Sequence, residues 1–597
     1  MIGRCTRLPL WLSGWLAGRR RPVLFLALLG VVLASPSLWT EPVADDLLHE
    51  LILRPTPGIT GLRPQTVDLF RFASGDIEQT RALMSEGVFP WWTDPNVRLS
   101  FMRPLAGLTH FIDQRWFSGH AGWMHLQSLL WFAALLVALG AVYLRFAPRR
   151  TALFALLLYA IDDAHAPTVA WLANRSAIIG LLGAMLALLT HDIWRQGGDR
   201  RFRFISPALF AVGLSSGETA VAGAAYFVAY AAFLERGSLR QRVLSLTGPG
   251  VVMIAWRVSY VLLDYGTSGS GVYLDPLADP LAFAAAAAAR LPVLLLASVA
   301  LPWADWWELY PLLLPGASAV VWCIALTLLA GLALLLRPAW RTSASARFWS
   351  LGALLAAVPA ASTFPHDRML LGVTVGSMGA LAELLLSVRP VEAAWKRLAL
   401  AGLILVHLVL APVLLPLRSA TVDELSRLLR RTMVNFPPSP SIEGTTIALL
   451  NPPLDPFAAY LPIYREAERL PRPNRFVWLA SGTSAVRILR LDSHTLSVRP
   501  ELGYLHHSTQ LMLRSPQRRF QLGDRVQLPV ASFEIAALTR DGRPAEVTVR
   551  FAQSLDDPRL QLFRWDDRSA SYVRLTPPRT GQGATLPGSQ LLGLLFG

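Results

Sequence analysis

A succession of apolar runs, separated by short polar segments, constrains this chain more than any other feature of its sequence. An apolar run of roughly 20 residues is long enough to cross the hydrocarbon core of a bilayer as a helix. Of the 597 residues, 53% are hydrophobic and only 16% are charged, which excludes an ordinary soluble multidomain protein. We therefore expect a mainly α, polytopic helical membrane protein with the lipid bilayer as its first partner.

The basic residues lie in short segments between the apolar runs. The net charge is +15, and arginines cluster at 19–21, 149–150 and 200–203. Arginine-rich short loops mark the cytoplasmic side of a membrane. The charge therefore predicts topology and not nucleic-acid binding, with a cytoplasmic basic leader at 1–21.

The hydropathy and charge rules together predict about eleven transmembrane helices. The helix at 22–40 runs outward, the segment 41–118 lies outside, and the helix at 121–145 returns. The Ala-rich run 281–301 is expected to be interfacial or re-entrant, because a span there would leave Arg337 outside. The other predicted spans are 151–163, 174–191, 203–215, 218–234, 244–264, 317–336, 347–364, 369–388 and 398–416.

The composition of the chain changes after about residue 418. A Pro-rich linker at 436–440 precedes short apolar runs, among them 446–450, 475–479 and 546–551, that alternate with turns. Such runs are typical of strands. We predict a transmembrane domain over 22–418 and an extracytoplasmic β-rich domain over 419–597.

Asp45 and Asp46 are adjacent carboxylates directly after the first predicted membrane exit. One of them could act as a general base toward an acceptor hydroxyl, because its neighbour and a low-dielectric surrounding shift its pKa. Either residue could equally be the N-cap of a helix that lies on the membrane. Local sequence leaves both interpretations open.

A second polar set lies in the predicted outer turn that contains Asp162, Asp163 and His165. The two acids, together with Asp46, could bind a divalent cation such as Mg or Mn, and His165 could contact a phosphate-linked donor. A polar turn that caps two helices explains the same residues. Glu218 begins an apolar run, where an ionisable side chain marks either a functional site or a buried ion pair.

Four arginines lie on the predicted outer side, against the general charge trend. A guanidinium binds phosphate through two parallel hydrogen bonds, so these side chains are predicted to hold a lipid-linked phosphate. Alternatively, each one extends its charged end to the membrane interface. The sequence contains no nucleotide-binding loop and therefore predicts no nucleotide cofactor. The four residues are Arg103, Arg175, Arg257 and Arg368.

These motifs, taken in order, resemble GT-C-type glycosyltransferases that use polyprenyl-phosphate-linked sugars. The resemblance covers about 22–390 and is strongest to the membrane region of transmembrane O-mannosyltransferases with tetratricopeptide repeats and their bacterial relatives. The motifs are Asp45-Asp46, Phe101-Met102-Arg103-Pro104-Leu105, Asp113, Gly122-Trp123-Met124-His125-Leu126, His165 followed by Val169-Ala170-Trp171 and Arg175, Ser216-Gly217-Glu218, Arg257, and His366-Asp367-Arg368-Met369-Leu370.

The resemblance implies a membrane glycosyltransferase, a hexosyl- or pentosyltransferase of inverting type, in a bacterial inner membrane with a cytoplasmic N-terminus. Its acceptor would be an extracytoplasmic protein, lipid or envelope glycan. An acid of the Asp45-Asp46 pair would be the base, and the donor would be bound by Arg103, His125, His165, Arg175, Glu218, Arg257 and Arg368.

Two other classes of function are compatible with the sequence. Acids and arginines inside the membrane also line the pathways of transporters and flippases. A non-catalytic membrane scaffold that presents the C-terminal domain would need none of these side chains for chemistry. Lipid transport without sugar transfer would indicate the first class, and function of the 419–597 domain on an unrelated anchor would indicate the second.

Overall fold

The computed structural model describes residues 8–56, 58–313, 316–387, 393–434, 436 and 442–590. The first residues of the predicted basic leader and most of the predicted Pro-rich linker lie outside these ranges. The chain divides into two units, each assembled from separate segments. Unit 1 contains Met1–Pro42, Phe101–Leu263 and Pro276–Glu424, and unit 2 contains Val43–Ser100, Asp264–Asp275 and Leu425–Gly597.

The regular structure of unit 1, over the residues that the structure describes, is helical, as its apolar runs predict. Its α-helices, including one that continues past Glu424, are Leu8–Ala17, Pro22–Ala34, Pro104–Phe117, Ala121–Phe146, Arg149–Ala160, Ala166–Ala170, Arg175–Arg195, Phe202–Leu214, Val221–Phe233, Leu239–Ser245, Thr247–Leu262, Pro280–Ala297, Tyr310–Leu313, Ala317–Thr342, Ala344–Ala360, Leu371–Ser387, Ala394–Ile404 and Ala411–Val434. Short 3-10 turns at Asp163–His165, Glu218–Ala220, Ala304–Glu308 and Asp367–Met369 separate several of them.

Length and hydropathy identify fewer candidate membrane spans than the sequence analysis expected. In the described residues six helices are long and apolar enough, or seven if the bent pair Arg149–Ala160 and Asp163–Ala170 forms one span. The expected eleven spans are therefore not confirmed. Three of the predicted spans form apolar helices shorter than a full span: Phe202–Leu214, Glu218–Phe233 and Leu371–Ser387.

Two helices of unit 1 differ in kind from the sequence-based expectation. Pro280–Ala297 satisfies the length and hydropathy of a full span, although the charge rule predicted an interfacial segment. Within the basic leader, Leu8–Ala17 forms a helix that packs against Arg149–Ala160, and its Leu16 is almost completely buried. The leader is therefore partly a structural element of unit 1.

The helix Arg175–Arg195 lies at the centre of the unit 1 core. It packs closely against Phe202–Leu214, because Gly183 on the first helix faces Gly213 on the second. A Cβ atom added at Gly183 would lie 2.7 Å from the Cα atom of Gly213. Small residues at such a crossing let two backbones approach, as is common in membrane helix pairs.

Unit 2 is the β-rich part of the chain, which confirms the predicted C-terminal character. Its strands are β1 Arg71–Ser74, β2 Arg98–Ser100, β3 Gly266–Ser268, β4 Thr446–Leu449, β5 Arg475–Trp478, β6 Val486–Arg490, β7 Thr495–Pro500, β8 Arg525–Gln527, β9 Ala531–Leu538, β10 Pro544–Phe551, β11 Leu560–Asp566, β12 Ser571–Leu575 and β13 Gly583–Leu586. Its further helices are Asp45–Leu53, Ile77–Ser85, Asp455–Ala467 and Ser508–Leu511.

Three sheets organise unit 2. The first is β1-β2-β3, the second is the six-stranded antiparallel sheet β13-β6-β7-β10-β9-β8, and the third has the order β12-β11-β4-β5. In the third sheet β4 is parallel to both β11 and β5. Because a parallel pair needs a crossover, the helix Asp455–Ala467 connects β4 to β5 as a βαβ unit.

Most of the predicted external loop 41–118 belongs to the β-rich unit, unlike the division expected from the sequence. The physical reason is aromatic burial. Trp91 and Trp92 are at most 1% exposed and pack against Trp478 and Tyr504. Burying two tryptophans stabilises the loop strongly in this position, so residues 43–100 cannot be separated from the C-terminal domain.

Candidate active site

Asp45 and Asp46 occupy the first turn of the helix Asp45–Leu53 in unit 2. The residue before them, Ala44, has a φ of 52°, a left-handed backbone conformation that is costly for a residue with a Cβ. Asp46 is 7% exposed and its Oδ2 accepts a hydrogen bond from the backbone N–H of Val43 at 3.1 Å. A helix does begin here, as one alternative predicted, but its N-cap is Ala44, and Asp46 bonds back to the backbone before the helix instead of capping it.

Asp45 has a different partner. The hydroxyl of Tyr460, on the helix Asp455–Ala467 of the same unit, donates to Asp45 Oδ1 at 2.5 Å. Burial and the neighbouring charge of Asp45 raise the pKa of Tyr460 well above its ordinary value, so the hydroxyl keeps its proton. The structure thus distinguishes the two acids: one fixes the helix start, and the other is held by a tyrosine from the C-terminal domain.

Arg175 is completely enclosed in unit 1. Its guanidinium forms an ion pair with Asp113 at 2.6 Å, with 0% and 2% side-chain exposure. It also donates to Ser128 Oγ at 2.9 Å and to the carbonyl of Met124 at 2.7 Å, and it contacts Gln127. Burial raises the pKa of Asp113 to about 6 against the opposing charge of Arg175. Arg175 therefore ties three helices together and has little capacity left for a phosphate.

A second cluster in unit 1 brings together three residues that the sequence predicted. Arg103 Nε donates to Glu218 Oε2 at 2.7 Å, and the Tyr260 hydroxyl donates to Glu218 Oε1 at 3.1 Å. The guanidinium of Arg257 lies 5.7 Å from the ring centroid of Tyr260. Glu218 is thus half of an ion pair, as one of its two interpretations predicted.

Arg418, which the sequence analysis did not select, is the centre of a third cluster. Its guanidinium pairs with Asp163 at 2.9 Å and with Asp305 and Asp367 at 2.7 Å each. Trp303 Nε1 also donates to Asp163 Oδ2 at 2.8 Å. Its position at the outward end of a predicted helix, against the charge trend, is the signal that could have identified Arg418.

The carboxylates around Arg418 have different electrostatic surroundings. Burial favours protonation of Asp305, but the charges of His366 and Arg418 outweigh it and lower the pKa of that carboxyl. Burial and the charge of Asp305 raise the pKa of Asp367. The backbone N–H of Asp367 donates to Asp305 at 2.6 Å, so the cluster fixes the turn Asp367–Met369.

Arg368 follows directly in that fixed turn and has no carboxylate partner among the residues that the structure describes. Its guanidinium carbon lies 5.3 Å from the ring centroid of Trp171 and 5.8 Å from that of Phe364. Arg368 Nε and Trp171 Nε1 are both buried N–H donors without an acceptor in the described part of the chain. A cation and two unused donors side by side can bind an anion.

The two predicted histidines of unit 1 are both completely buried. His165 packs 4.3 Å from the ring of Tyr159 and lies in a turn that contacts Asp367–Met369. The imidazole of His125 interacts with the backbone of Thr40, and that of His165 with the backbone of Tyr159. His165 therefore lies close to the Arg368 turn, but its ring is held by residues of its own unit.

The predicted metal ligands are not assembled into one ligand set. Asp163 forms an ion pair with Arg418 and accepts a hydrogen bond from Trp303, and Asp46 belongs to unit 2. Over the described residues, no group of three or more His, Cys, Asp or Glu side chains could hold a metal ion. A role for Asp46, Asp162 and Asp163 in metal binding stays a prediction, and no step below uses a metal.

No protein-family profile and no curated protein sequence matches this chain. Among solved structures, it is similar to the crystal structure of ArnT from Cupriavidus metallidurans bound to undecaprenyl phosphate. That similarity covers 76% of this chain and 86% of ArnT, with 12% sequence identity and a TM-score of 0.36. A similarity at this level carries no argument about mechanism, so the proposal below rests on the residues of this chain.

Proposed function

We propose that this protein is a glycosyltransferase of the bacterial inner membrane. It moves a sugar from a polyprenyl-phosphate donor to a hydroxyl of an extracytoplasmic acceptor, with its N-terminus in the cytoplasm and unit 2 outside. The observation that carries the proposal is Arg368, a cation without a carboxylate partner in the described residues and next to the unused N–H of Trp171. A lipid-linked phosphate supplies the acceptor oxygens that both donors require.

The proposed reaction is a single displacement with inversion. The acceptor oxygen forms a bond to the anomeric carbon, and the bond from that carbon to the phosphate oxygen breaks. The electron pair of the broken bond remains on the polyprenyl phosphate, whose charge Arg368 stabilises. The acceptor proton passes to a general base, a role for which the sequence predicts Asp45.

The other charged residues have supporting roles in this proposal. Glu218 holds Arg103 and Tyr260, and therefore sets the geometry at the start of the helix Pro104–Phe117. Arg418 fixes the turn that carries Arg368. Asp46 keeps the first turn of its helix in place through Val43, so it supports the position of Asp45.

The test is transfer of radiolabelled sugar by purified protein in liposomes. The donors are polyprenyl-phosphate mannose, glucose and arabinose, each alone, and envelope extract supplies the acceptor. Asp45→Asn should lower transfer by about 10²–10⁴-fold, the usual contribution of a general base. Asp46→Asn should retain most activity, and Glu78→Gln, an exposed acid of the same unit, is the matched control.

Two results would contradict the proposal. Full transfer by the Asp45→Asn variant would remove the assigned base. Movement of a fluorescent polyprenyl-phosphate sugar across the liposome membrane, with no transfer from any of the three donors, would identify a transporter instead.

A further inference from the structure

Two arginines at one end of unit 1 form ion pairs with buried acids. Arg145 pairs with Asp192, and Arg195 Nε pairs with Glu235 at 2.5 Å, where the two acid side chains are 3% and 1% exposed. Asp192 also accepts from the hydroxyl of Tyr230 at 2.8 Å. The charge pattern of the sequence predicts that this end is cytoplasmic. Both arginines therefore have their acceptors within the protein and stabilise the packing of their helices.

Arg347 lies at the same end of unit 1, near the start of the helix Ala344–Ala360. The ring of the next residue, Phe348, packs 5.2 Å from that of Phe146, which directly follows Arg145. The guanidinium carbon of Arg347 lies 5.5 Å from the ring centroid of Phe233, the last residue of the helix Val221–Phe233. An aromatic face therefore holds this guanidinium at the ends of two closely packed helices.

Unlike its two neighbours, Arg347 has no carboxylate partner among the residues that the structure describes. Its Nε is a buried N–H donor without an acceptor in the described part of the chain. An acid is close in the fold, but Glu383 accepts from the hydroxyls of Ser345 and Ser343 instead. Buried donors normally have acceptors, so Arg347 needs an acceptor from outside the chain.

The surface next to Arg347 is apolar. Leu351 and Leu354 follow it at spacings of four and seven residues, so all three side chains lie on one face of the helix Ala344–Ala360. Leu354 is 47% exposed. A charged group at the helix end, followed by exposed apolar side chains one and two turns further along, matches the headgroup and acyl chain of a phospholipid.

We infer that Arg347 binds the phosphate of an anionic phospholipid. A guanidinium donates two parallel hydrogen bonds to a phosphate, and basic sites between membrane helices bind acidic headgroups. The first turn of a 17-residue helix adds positive potential at this point. Asp192, Glu235 and Glu383 already have partners, so the ammonium of a zwitterionic headgroup finds no uncommitted acid among them.

This inference goes beyond the proposed function, because it does not require sugar transfer. Arg347 lies near the first residue of the helix Ala344–Ala360, whereas Arg368 follows its last residue. A helix of 17 residues is about 25 Å long, so this lipid site is separate from the proposed donor site.

The experiment measures lipid binding to the full-length protein in detergent by native mass spectrometry, with phosphatidylglycerol and phosphatidylethanolamine added in separate titrations. The native protein should bind phosphatidylglycerol more tightly. Arg347→Gln should weaken that binding about tenfold or more, because a charged hydrogen-bond donor is lost. Arg150→Gln, an exposed arginine on the same predicted side of the membrane, is the control and should bind as the native protein does.

Two further variants separate a built site from general attraction between charges. Arg347→Lys keeps the charge but lacks the planar fork, so it should bind phosphatidylglycerol more weakly than the native protein. Phe233→Leu removes the ring beside the guanidinium and should also weaken binding, which keeps the inference testable if Arg347→Gln does not fold. Arg368→Gln should bind phosphatidylglycerol normally even where sugar transfer is lost.

Three results would overturn the inference. The first is equal binding of phosphatidylglycerol by the native protein and Arg347→Gln, and the second is an equal loss of binding in Arg347→Gln and Arg150→Gln. The third is displacement of the lipid by an equal concentration of inorganic phosphate, which would show that the site takes a soluble anion and not a lipid headgroup.

Discussion

The surroundings of Arg175 and of Arg368 differ, although the sequence predicted the same phosphate-binding role for both. Arg175 is fully buried and surrounded by acceptors from its own unit, with Asp113 as its counter-ion. Arg368 lies against two aromatic rings and has no carboxylate partner among the described residues. An arginine whose acceptors come from the chain stabilises the fold, whereas one whose acceptors are missing is suited to a ligand.

Arg418, like Arg175, has its acceptors within the protein. Its substitution should cause the largest loss of stability. Arg418→Gln leaves Asp163, Asp305 and Asp367 without their shared cation. Removal of one partner of a buried pair costs about 3–5 kcal/mol, and three carboxylates should cost at least that much. Thermal unfolding in detergent should show a strongly lowered melting temperature, and unchanged stability would place Arg418 with Arg368 instead.

Arg175→Gln should destabilise unit 1 by about 3–5 kcal/mol, because the Asp113 carboxylate then lacks its counter-ion. The double variant Arg175→Met with Asp113→Leu should recover much of that loss, since an apolar pair carries no desolvation cost. Melting temperatures of the three proteins test this. If the Arg175→Gln protein is fully stable but does not transfer sugar, Arg175 contacts the substrate and is not a structural residue.

Arg368→Gln should lower activity without lowering stability. Transfer from the polyprenyl-phosphate donor should fall by about 10²–10³-fold, as expected for loss of a donor that stabilises developing charge. The melting temperature should change little, because no ion pair within the described residues is broken. Arg115→Gln, an exposed arginine of the same unit, serves as the control. A large loss of stability in Arg368→Gln would remove the distinction between the two arginines.

Trp171→Phe should give the smallest effect, a modest loss of affinity for the lipid phosphate. The phenyl ring still packs under the Arg368 guanidinium, but the N–H donor is lost. Loss of one hydrogen bond of about 1 kcal/mol should weaken binding of the lipid phosphate about fivefold. Titration with undecaprenyl phosphate measures this, and an unchanged dissociation constant would exclude the indole nitrogen from the site.

The sequence predicted most of the helices of unit 1 and singled out Arg103 and Glu218, because apolar periodicity and costly charges are local signals. It did not predict that these two residues form an ion pair. Arg418 was missed because its partners lie at 163, 305 and 367, and only the folded chain brings these positions together. The expected count of eleven spans is not confirmed, because only six or seven described helices reach the length and hydropathy of a span. The placement of residues 43–100 in unit 2 depends on Trp91 and Trp92, whose partners are about 400 residues away.

The same limit applies to the acidic pair. Sequence alone allowed an N-cap or a base at Asp45 and Asp46. In the structure the N-cap is Ala44, Asp46 accepts from the N–H of Val43, and Asp45 accepts from the hydroxyl of Tyr460. Tyr460 lies 415 residues from Asp45 along the chain, so no local pattern could have indicated that contact.

The most direct test of the account is the affinity of undecaprenyl phosphate for the protein in nanodiscs, compared between the native chain and the Arg368→Gln and Arg115→Gln variants. We expect the dissociation constant to rise about tenfold or more in Arg368→Gln, because a charged hydrogen-bond donor to the phosphate is lost, and to stay unchanged in Arg115→Gln. Equal affinity in the native protein and in Arg368→Gln would contradict the central claim that the arginine without a protein partner binds the donor phosphate.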